Sequence, residues 1–372
     1  NVTAITFDPL NTARIIVGTR DGYVYVSTNG GDAWTQAARP DTHIERLAVN
    51  PFGAHEVWAV TGGTDWGAPH LWRSTDAALT QWEQVIQASS FTFHPTISGT
   101  IWAASGGGYA SIDGGQNWDP VGGGLTDVLD FAIDPQNPDT VYAGTMRGVY
   151  KSSDNGQTWA EAFTGLSGVL PNLGLAVSPI NPDEVYAAAN GRVFRSLTGG
   201  QAWDELTTPQ IAEARPHMRL LAVDPAMPTR IYLGDSHAFA VHLSDDKGQS
   251  WLTAVLPLPP GATDGGIWCV TPHPTIPGRV LAGAGLYGTP GQYPGALYLS
   301  QNYGESWSRI NTGSISGVAA VVFDPASPQI GYAGTEGGGM LKSTDGGTSW
   351  QPLTTCPSTS SATQSSGRAS PR

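Results

Sequence analysis

Carboxylates dominate the chemistry available to this chain, with 31 Asp and Glu against 18 Lys and Arg and a formal net charge of −13. Glycosidic bonds are hydrolysed by two carboxyl groups about 5–10 Å apart, one of them kept protonated. Asp65, Asp127, Asp130 and Asp264 stand in connecting segments and are the candidates for such a pair. Asp21 is a fifth, in the turn Thr19-Arg20-Asp21-Gly22-Tyr23. Two Gly- and Pro-rich stretches, TGGTDWGAPH (61–70) and GLYGTPGQYPG (285–295), hold Trp66, His70, Tyr287 and Tyr293. Aromatic faces next to hydrogen-bonding groups suit sugars or extended peptides. Asp65, Trp66, His70, Tyr287 and Tyr293 are therefore the candidate ligand-binding residues. His43, Glu45, Arg46, Arg215, His217 and Arg219 lie in connections that share the same side of the expected fold.

Other chemistries find little support. The 8 His are scattered without ligand spacing, so no metal site and no cofactor is expected. No Gly-rich phosphate loop, Cys nucleophile or Ser-His-Asp spacing stands out. Lysine is confined to Lys151, Lys247 and Lys342, and no basic run occurs. This argues against nucleic acid as a partner, since its binding needs clustered cations, and disfavours adhesion to anionic membranes. No segment is long and apolar enough for a spanning helix, so no direct membrane insertion is expected. Cys269 and Cys356 are too few for a disulfide framework; a bond between them stays open.

The elements that must carry these residues emerge when the chain is aligned on itself. Residues 131–159 read FAIDPQNPDTVYAGTMRGVYKSSDNGQTW, and residues 321–350 read VVFDPASPQIGYAGTEGGGMLKSTDGGTSW. The closing Ser and Trp recur as Ser27/Trp34, Ser74/Trp82, Ser111/Trp118, Ser152/Trp159, Ser196/Trp203, Ser244/Trp251, Ser300/Trp307 and Ser343/Trp350. The second copy is stretched by one residue and lacks the Gly. A second marker keeps the same phase, a Pro followed seven positions later by a large residue, as in Pro51/Trp58, Pro95/Trp102 and Pro135/Tyr142. In the seventh copy its counterpart is Pro272 or Pro274.

Each copy holds four short apolar runs, in the fourth at 129–133, 140–143, 148–152 and 159–163. Alternation, Val/Tyr content and Gly/Asn/Pro punctuation make them strands. Four hairpin-linked strands form a twisted sheet that cannot bury both faces alone, and stacking such sheets in a ring solves this. The expected fold is all-β: an eight-bladed β-propeller of four-stranded antiparallel blades over residues 1–355, with seven blades as the alternative. Every sheet forms from contiguous sequence, so packing between the first and last blades must close the ring. Residues 356–372 are Ser/Thr-rich and read as a disordered tail or linker, open to O-glycosylation or leading to an anchor.

The closing turn Ser152-Ser153-Asp154-Asn155-Gly156-Gln157-Thr158-Trp159 resembles the Asp-box, or bacterial neuraminidase repeat. The resemblance covers residues 1 to about 355 and extends to sialidases, xyloglucanase-like glycoside hydrolases, sortilin-like receptors and photosystem II assembly factors. The DPxNPxxVYAGT and GVYKSxDGGxTW phrasing is most similar to the xyloglucanase-like and assembly-factor repeats. In that light Asp21 sits in a turn similar to one carrying a catalytic Asp in xyloglucanase-like enzymes. The turn itself has a structural task. Asp accepts backbone N–H groups, Gly takes positive φ, and Trp is expected to fold into the gap beside the next blade. Asn29, Asn302 and Thr198 replace the Asp as acceptors.

Departures bear on function. The chain lacks the Arg-Ile-Pro motif and arginine triad of sialidases, the second propeller of xyloglucanase-like enzymes, and the arginine patch of assembly factors. The expectation is an exported, non-catalytic propeller binding a protein segment or glycan on its loop-rich face, as a scaffold or assembly component. The alternative is a glycan-active glycoside hydrolase with paired carboxylates at the channel mouth. Scarce lysine, acidity, the Ser/Thr-rich tail and a start at Asn1 suggest a secreted, periplasmic or cell-surface protein; the single sequon match Asn1-Val2-Thr3 carries little weight. Oligomeric state is left open.

Overall fold

The computed structural model describes residues 2–53, 55–63, 67–122, 125–166, 174–178, 181–189, 192–206, 221–235, 237–259, 265–286, 295–313, 315–336 and 338–353. They form eight four-stranded antiparallel sheets, each of four consecutive strands, and so the seven-blade alternative falls. The innermost strands of blades 1 to 8 are Val2–Asp8, Ile44–Val49, Ser90–Phe93, Val128–Ile133, Gly174–Val177, Leu221–Val223, Gly266–Pro272 and Val318–Phe323. In blade 4 the remaining strands are Val141–Thr145, Gly148–Ser152 and Ala160–Glu161. The outermost starts one residue later than expected, with the Trp159 indole Nε1 donating back to Gly156 O at 3.1 Å, and it ends two residues earlier.

Eight apolar clusters hold the ring, one at each junction between neighbouring blades. Trp58, Trp102, Tyr142, Tyr232 and Tyr332, each seven residues after a repeat proline, are fully buried in them. Each such side chain removed from water contributes roughly 1.5–3 kcal/mol. The position that the seven-residue Pro marker picks out is thus the anchor of each junction.

The closing turn explains why the two markers stay in phase. Ser152 Oγ donates to Asp154 Oδ1 at 2.7 Å and accepts Gly156 N–H at 2.8 Å. Asp154 Oδ1 accepts Thr158 N–H at 2.8 Å. Asn29 Oδ1, Asn302 Oδ1 and Thr198 Oγ1 accept the matching N–H groups of Ala33, Ser306 and Ala202 at 2.9, 3.0 and 2.9 Å. Gly115 has φ +83, and a Cβ there would lie 2.4 Å from Trp58 Cη2 of the preceding blade. Turn glycine and second-strand aromatic therefore fit each other across a junction. The turn tryptophans fill that same gap: Trp118 packs with the blade 2–3 cluster and Trp159 with the blade 3–4 cluster. This corrects the expected direction, since each Trp packs beside the preceding blade.

In blade 7 Leu281 occupies the aromatic position, pairing with Thr271 as Tyr142 pairs with Ala132. Pro274 is therefore the repeat proline there. The ring closes without strand exchange. Val2, Ile5, Ile15 and Val17 of blade 1 pack with Tyr332 and Met340 of blade 8. Tyr332 OH and Lys342 Nζ both donate to Gly30 O at 2.6 Å, and Lys342 Nζ meets Asp32 Oδ1 at 2.8 Å. Among the described residues no helix is long and apolar enough to cross a membrane.

Candidate functional site

Antiparallel order puts the second-to-third-strand turns and the blade-to-blade connections on one face, opposite the Ser/Asp/Gly/Trp turns. On that face the innermost strands share a device. Register breaks at Val2/Ala4, Ile44/Arg46, Val128/Asp130, Ile267/Cys269 and Val318/Ala320 mark a β-bulge in five blades. The extra residues are Thr3, Glu45, Leu129, Trp268 and Ala319. A bulge re-aims neighbouring side chains, and bulges gather at rims and sites. Here they lean toward the following blade: Thr3 Oγ1 donates to Ile44 O at 2.5 Å, and Cys269 Sγ lies 3.8 Å from Val318 O. Trp268 covers Gly285 and Gly317, where any Cβ would strike the indole. Its Nε1 is buried without a hydrogen-bond partner among the described residues.

One residue beyond the bulge, polar side chains link up. Arg46 Nη1 donates to Ser90 Oγ at 3.3 Å, and Ser90 Oγ donates to Asp130 Oδ1 at 2.9 Å. Asp130 Oδ2 accepts the Leu175 N–H at 3.3 Å. The relay ties the inner strands of blades 2, 3, 4 and 5. Burial pushes the Asp130 carboxyl above its ordinary range, with Ser90, Arg46 and the Leu175 N–H pulling the other way. Arg46 also lies 5.0 Å over the Phe91 ring. Glu45, beside Arg46 on the bulge, has its carboxyl raised by burial.

At the blade 1–2 rim the turn bearing Asp21 is pinned, because a Cβ at Gly22 would sit 2.0 Å from Thr42 O. Asp21 Oδ1 is buried without a hydrogen-bond partner among the described residues. Its neighbour Arg20 pairs with Glu336 of blade 8 at 3.0 Å, and Arg20 O meets His43 Nδ1 at 3.2 Å. His70 Nδ1 lies 4.0 Å from Asp41 Oδ2, which also accepts Thr61 Oγ1 at 3.4 Å. Asp127 is a turn residue at φ 56, its N–H on Gly106 O at 2.7 Å and its O taking Met146 N–H at 3.2 Å.

Asp21, His70, Asp127 and Asp130 thus share the loop-rich face, and no hydrogen bond joins any two of them among the described residues. Asp65, Trp66, Asp264, Tyr287, Tyr293, Arg215, His217, Arg219 and Cys356 lie outside the described residues. The stretch 61–70 is more regular than its composition suggests. Strands Val57–Gly63 and Gly67–Ser74 run into it, pairing Thr61 with His70 and Gly63 with Gly67. Sequence reasoning missed Ser90, Asp41 and Trp268. The signal for Ser90 was present: Arg46, Ser90 and Asp130 each stand four residues before Asn50, His94 and Asp134, which end their strands. No group of three His, Cys, Asp or Glu gathers as a metal site among the described residues.

No protein-family model matches the chain. A Paenibacillus xyloglucanase is 29% identical over 167 residues, covering 35% of this chain and 15% of the enzyme. A probable oligoxyloglucan-reducing end-specific xyloglucanase from Neosartorya fischeri is 28% identical over 148 residues, covering 32% of this chain and 17% of the enzyme. The matches therefore span under a fifth of either relative. Among solved structures, the GH74 xyloglucanase of Xanthomonas campestris matches 95% of this chain and 54% of its own, at 16% identity and TM-score 0.58. YCF48 from Cyanidioschyzon merolae matches 92% of this chain and 94% of its own, at 15% identity and TM-score 0.53. YCF48 bound to a peptide matches 92% and 90%, at 16% identity and TM-score 0.54. The chain is an eight-bladed β-propeller whose structural neighbours include glycan-acting xyloglucanases and the peptide-binding YCF48.

Proposed function

We propose that the chain binds an extended protein segment or glycan across its loop-rich face, at the channel mouth, without cleaving it, as a scaffold or assembly component outside the cytoplasm. The observation that carries this reading is the engagement of Asp130. Both its oxygens are occupied by bonds that tie adjacent blades, so the carboxylate serves the ring. Asp127 is likewise held in a turn by its backbone bonds to Gly106 and Met146. YCF48, of which a structure bound to a peptide shares this fold, is the neighbour that this reading follows. In this reading Trp66, Tyr287 and Tyr293 are the aromatic contacts, and Asp65 and His70 are the polar ones.

The test is retention of glycans or proteins by the purified chain, repeated with Trp66→Ala. Retention that the substitution removes while folding is kept supports the site. Equal retention by the variant contradicts it.

Hydrolysis is the second reading, and one observation favours it. A carboxyl raised by burial, as at Glu45, suits a general acid, with Asp21 or Asp65 as its counterpart. New reducing ends from xyloglucan, lost in Glu45→Gln, would establish it.

A further inference from the structure

Each closing turn packs against the blade before it and offers that blade one carbonyl, three residues after the turn Ser. In most junctions a cation of the preceding blade meets it. Arg14 Nη2 donates to Ala77 O at 3.1 Å, and Arg279 Nη1 to Gly346 O at 2.9 Å. Lys151 Nζ donates to Gly199 O at 3.1 Å, Lys342 Nζ to Gly30 O at 2.6 Å and Arg195 Nη1 to Lys247 O at 2.6 Å. Arg73 Nη1 donates to Gly114 O, and Arg230 lies 4.4 Å over the ring of Tyr303, the corresponding residue of blade 7. These cations come from two positions. Arg14, Arg230 and Arg279 stand two residues before Ile16, Tyr232 and Leu281, while Arg73, Lys151, Arg195 and Lys342 directly precede the turn Ser. Blade 3 has Thr100 and Ala110 at these positions, so the matching carbonyl of blade 4, Asn155 O, meets no cation among the described residues.

The blade 3–4 junction has an imidazole in this region instead. His94 stacks on Trp102 with ring centroids 5.7 Å apart, and its Nδ1 accepts the N–H groups of Thr96 and Ile97. His94 Nε2 and Trp102 Nε1 are both buried without a hydrogen-bond partner among the described residues. His273 caps blade 7 in the same way, but its Nε2 lies 2.9 Å from Pro328 O of blade 8, and Arg279 crosses that junction beside it. Lys and Arg keep their charge in acid, whereas an imidazole Nδ1 that gains a proton ceases to accept. We propose that the junction between blades 3 and 4 is an acid-operated seam, parting at the turn-bearing face while the seven cation-held junctions stay closed. Asp139 of blade 4 is the charged group that faces the imidazole, and burial outweighs its attraction, so proton uptake favours the parted form. At the loop-rich end Ser90 Oγ donates to Asp130 Oδ1 at 2.9 Å. Burial raises that carboxyl, so acid does not act against the closed ring there, and this bond is the hinge.

Amide exchange of the full chain at pH 7.5 and 5.0, corrected for the intrinsic pH dependence of exchange, tests this. Protection in 100–104, 110–118 and 139–157 should fall as pH drops below the ordinary imidazole value of 6.5, by up to about tenfold per pH unit, the limit for one proton. The matching segments of the blade 7–8 junction, 279–283 and 343–350, should keep theirs. Ala110→Lys, which puts an ammonium where blade 4 has Lys151, should hold the seam closed at pH 5.0 with His94 untouched. His94→Asp should also abolish the acid loss, because a carboxylate caps the same N–H groups as Asp134 does in blade 4. His273→Asp should leave the loss at blades 3 and 4 as it is. Loss removed by Ala110→Lys or by His94→Asp supports the seam, and loss that both variants retain overturns it. An even loss across all eight junctions, or an equal loss at blades 7 and 8, would overturn it as well.

Discussion

At the end of each innermost strand a side chain must accept the backbone N–H groups that follow it. Asp134 Oδ1 does so for Gln136 and Asn137, at 2.8 and 3.2 Å. His94 Nδ1 takes the same place for Thr96 and Ile97, at 3.1 and 2.9 Å, and His273 Nδ1 for Thr275 and Ile276, at 3.1 and 3.0 Å. An imidazole nitrogen accepts only while it is unprotonated, and burial holds both histidines below their ordinary 6.5. As pH falls through about 6.5 the unfolded chain therefore takes up protons that the folded chain refuses, and stability drops. The turn carboxylates act in a lower window. Backbone and side-chain hydrogen bonds hold Asp113, chiefly through Asn117, and Asp154, chiefly through Thr158, at about 2. Their contribution persists above 3.8 and is lost only as pH falls toward 2. Melting temperature measured from pH 7.5 down to 4.5 should decline in the native chain and stay flatter in His94→Asp/His273→Asp. An identical decline in both would contradict the assignment. Ser152→Ala, which leaves the buried Gly156 N–H without its acceptor, should cost about 1–3 kcal/mol in a urea titration.

Blades are legible in the sequence because their markers are local. Ser, Asp, Gly and Trp lie within one hairpin, and the repeat proline precedes its aromatic by seven positions, so a single chain segment carries both. What depends on backbone pairing was harder to read. Thr61↔His70 and Gly63↔Gly67 extend a hairpin through a Gly/Pro-rich stretch, since a ladder needs no side-chain pattern. The outer strand of blade 4 starts after Trp159 because that side chain turns over the hairpin into the blade 3–4 junction, a choice made by the fit of one blade against another. The same separation in sequence hid the relay: Ser90 and Asp130 stand 40 residues apart and meet only once blades stack. Junction fit can be tested at one glycine. Gly115→Ala combines positive φ with a Cβ 2.4 Å from Trp58, and should destabilise the fold by at least about 1 kcal/mol. A melting temperature equal to that of the native chain would contradict the fit.

The ring closes by packing, because blades 1 and 8 are each complete. Tyr332 therefore bears on the whole molecule: it fills the last junction and reaches Gly30 O of blade 1. Tyr332→Ala should cost roughly 3–5 kcal/mol, as for other large aromatic truncations. Amide exchange should quicken first in blades 1 and 8; uniform acceleration across all blades would contradict closure at this junction. On the face above, Asp130, Ser90 and Arg46 tie four blades into one rim, and binding without cleavage is the role proposed for it. The most direct test is an array of glycans and peptides probed with the purified chain, the retained glycans then being assayed for new reducing ends. The account predicts a ligand that is held intact and released by Trp66→Ala. New reducing ends that disappear in Glu45→Gln or Asp21→Asn would contradict it.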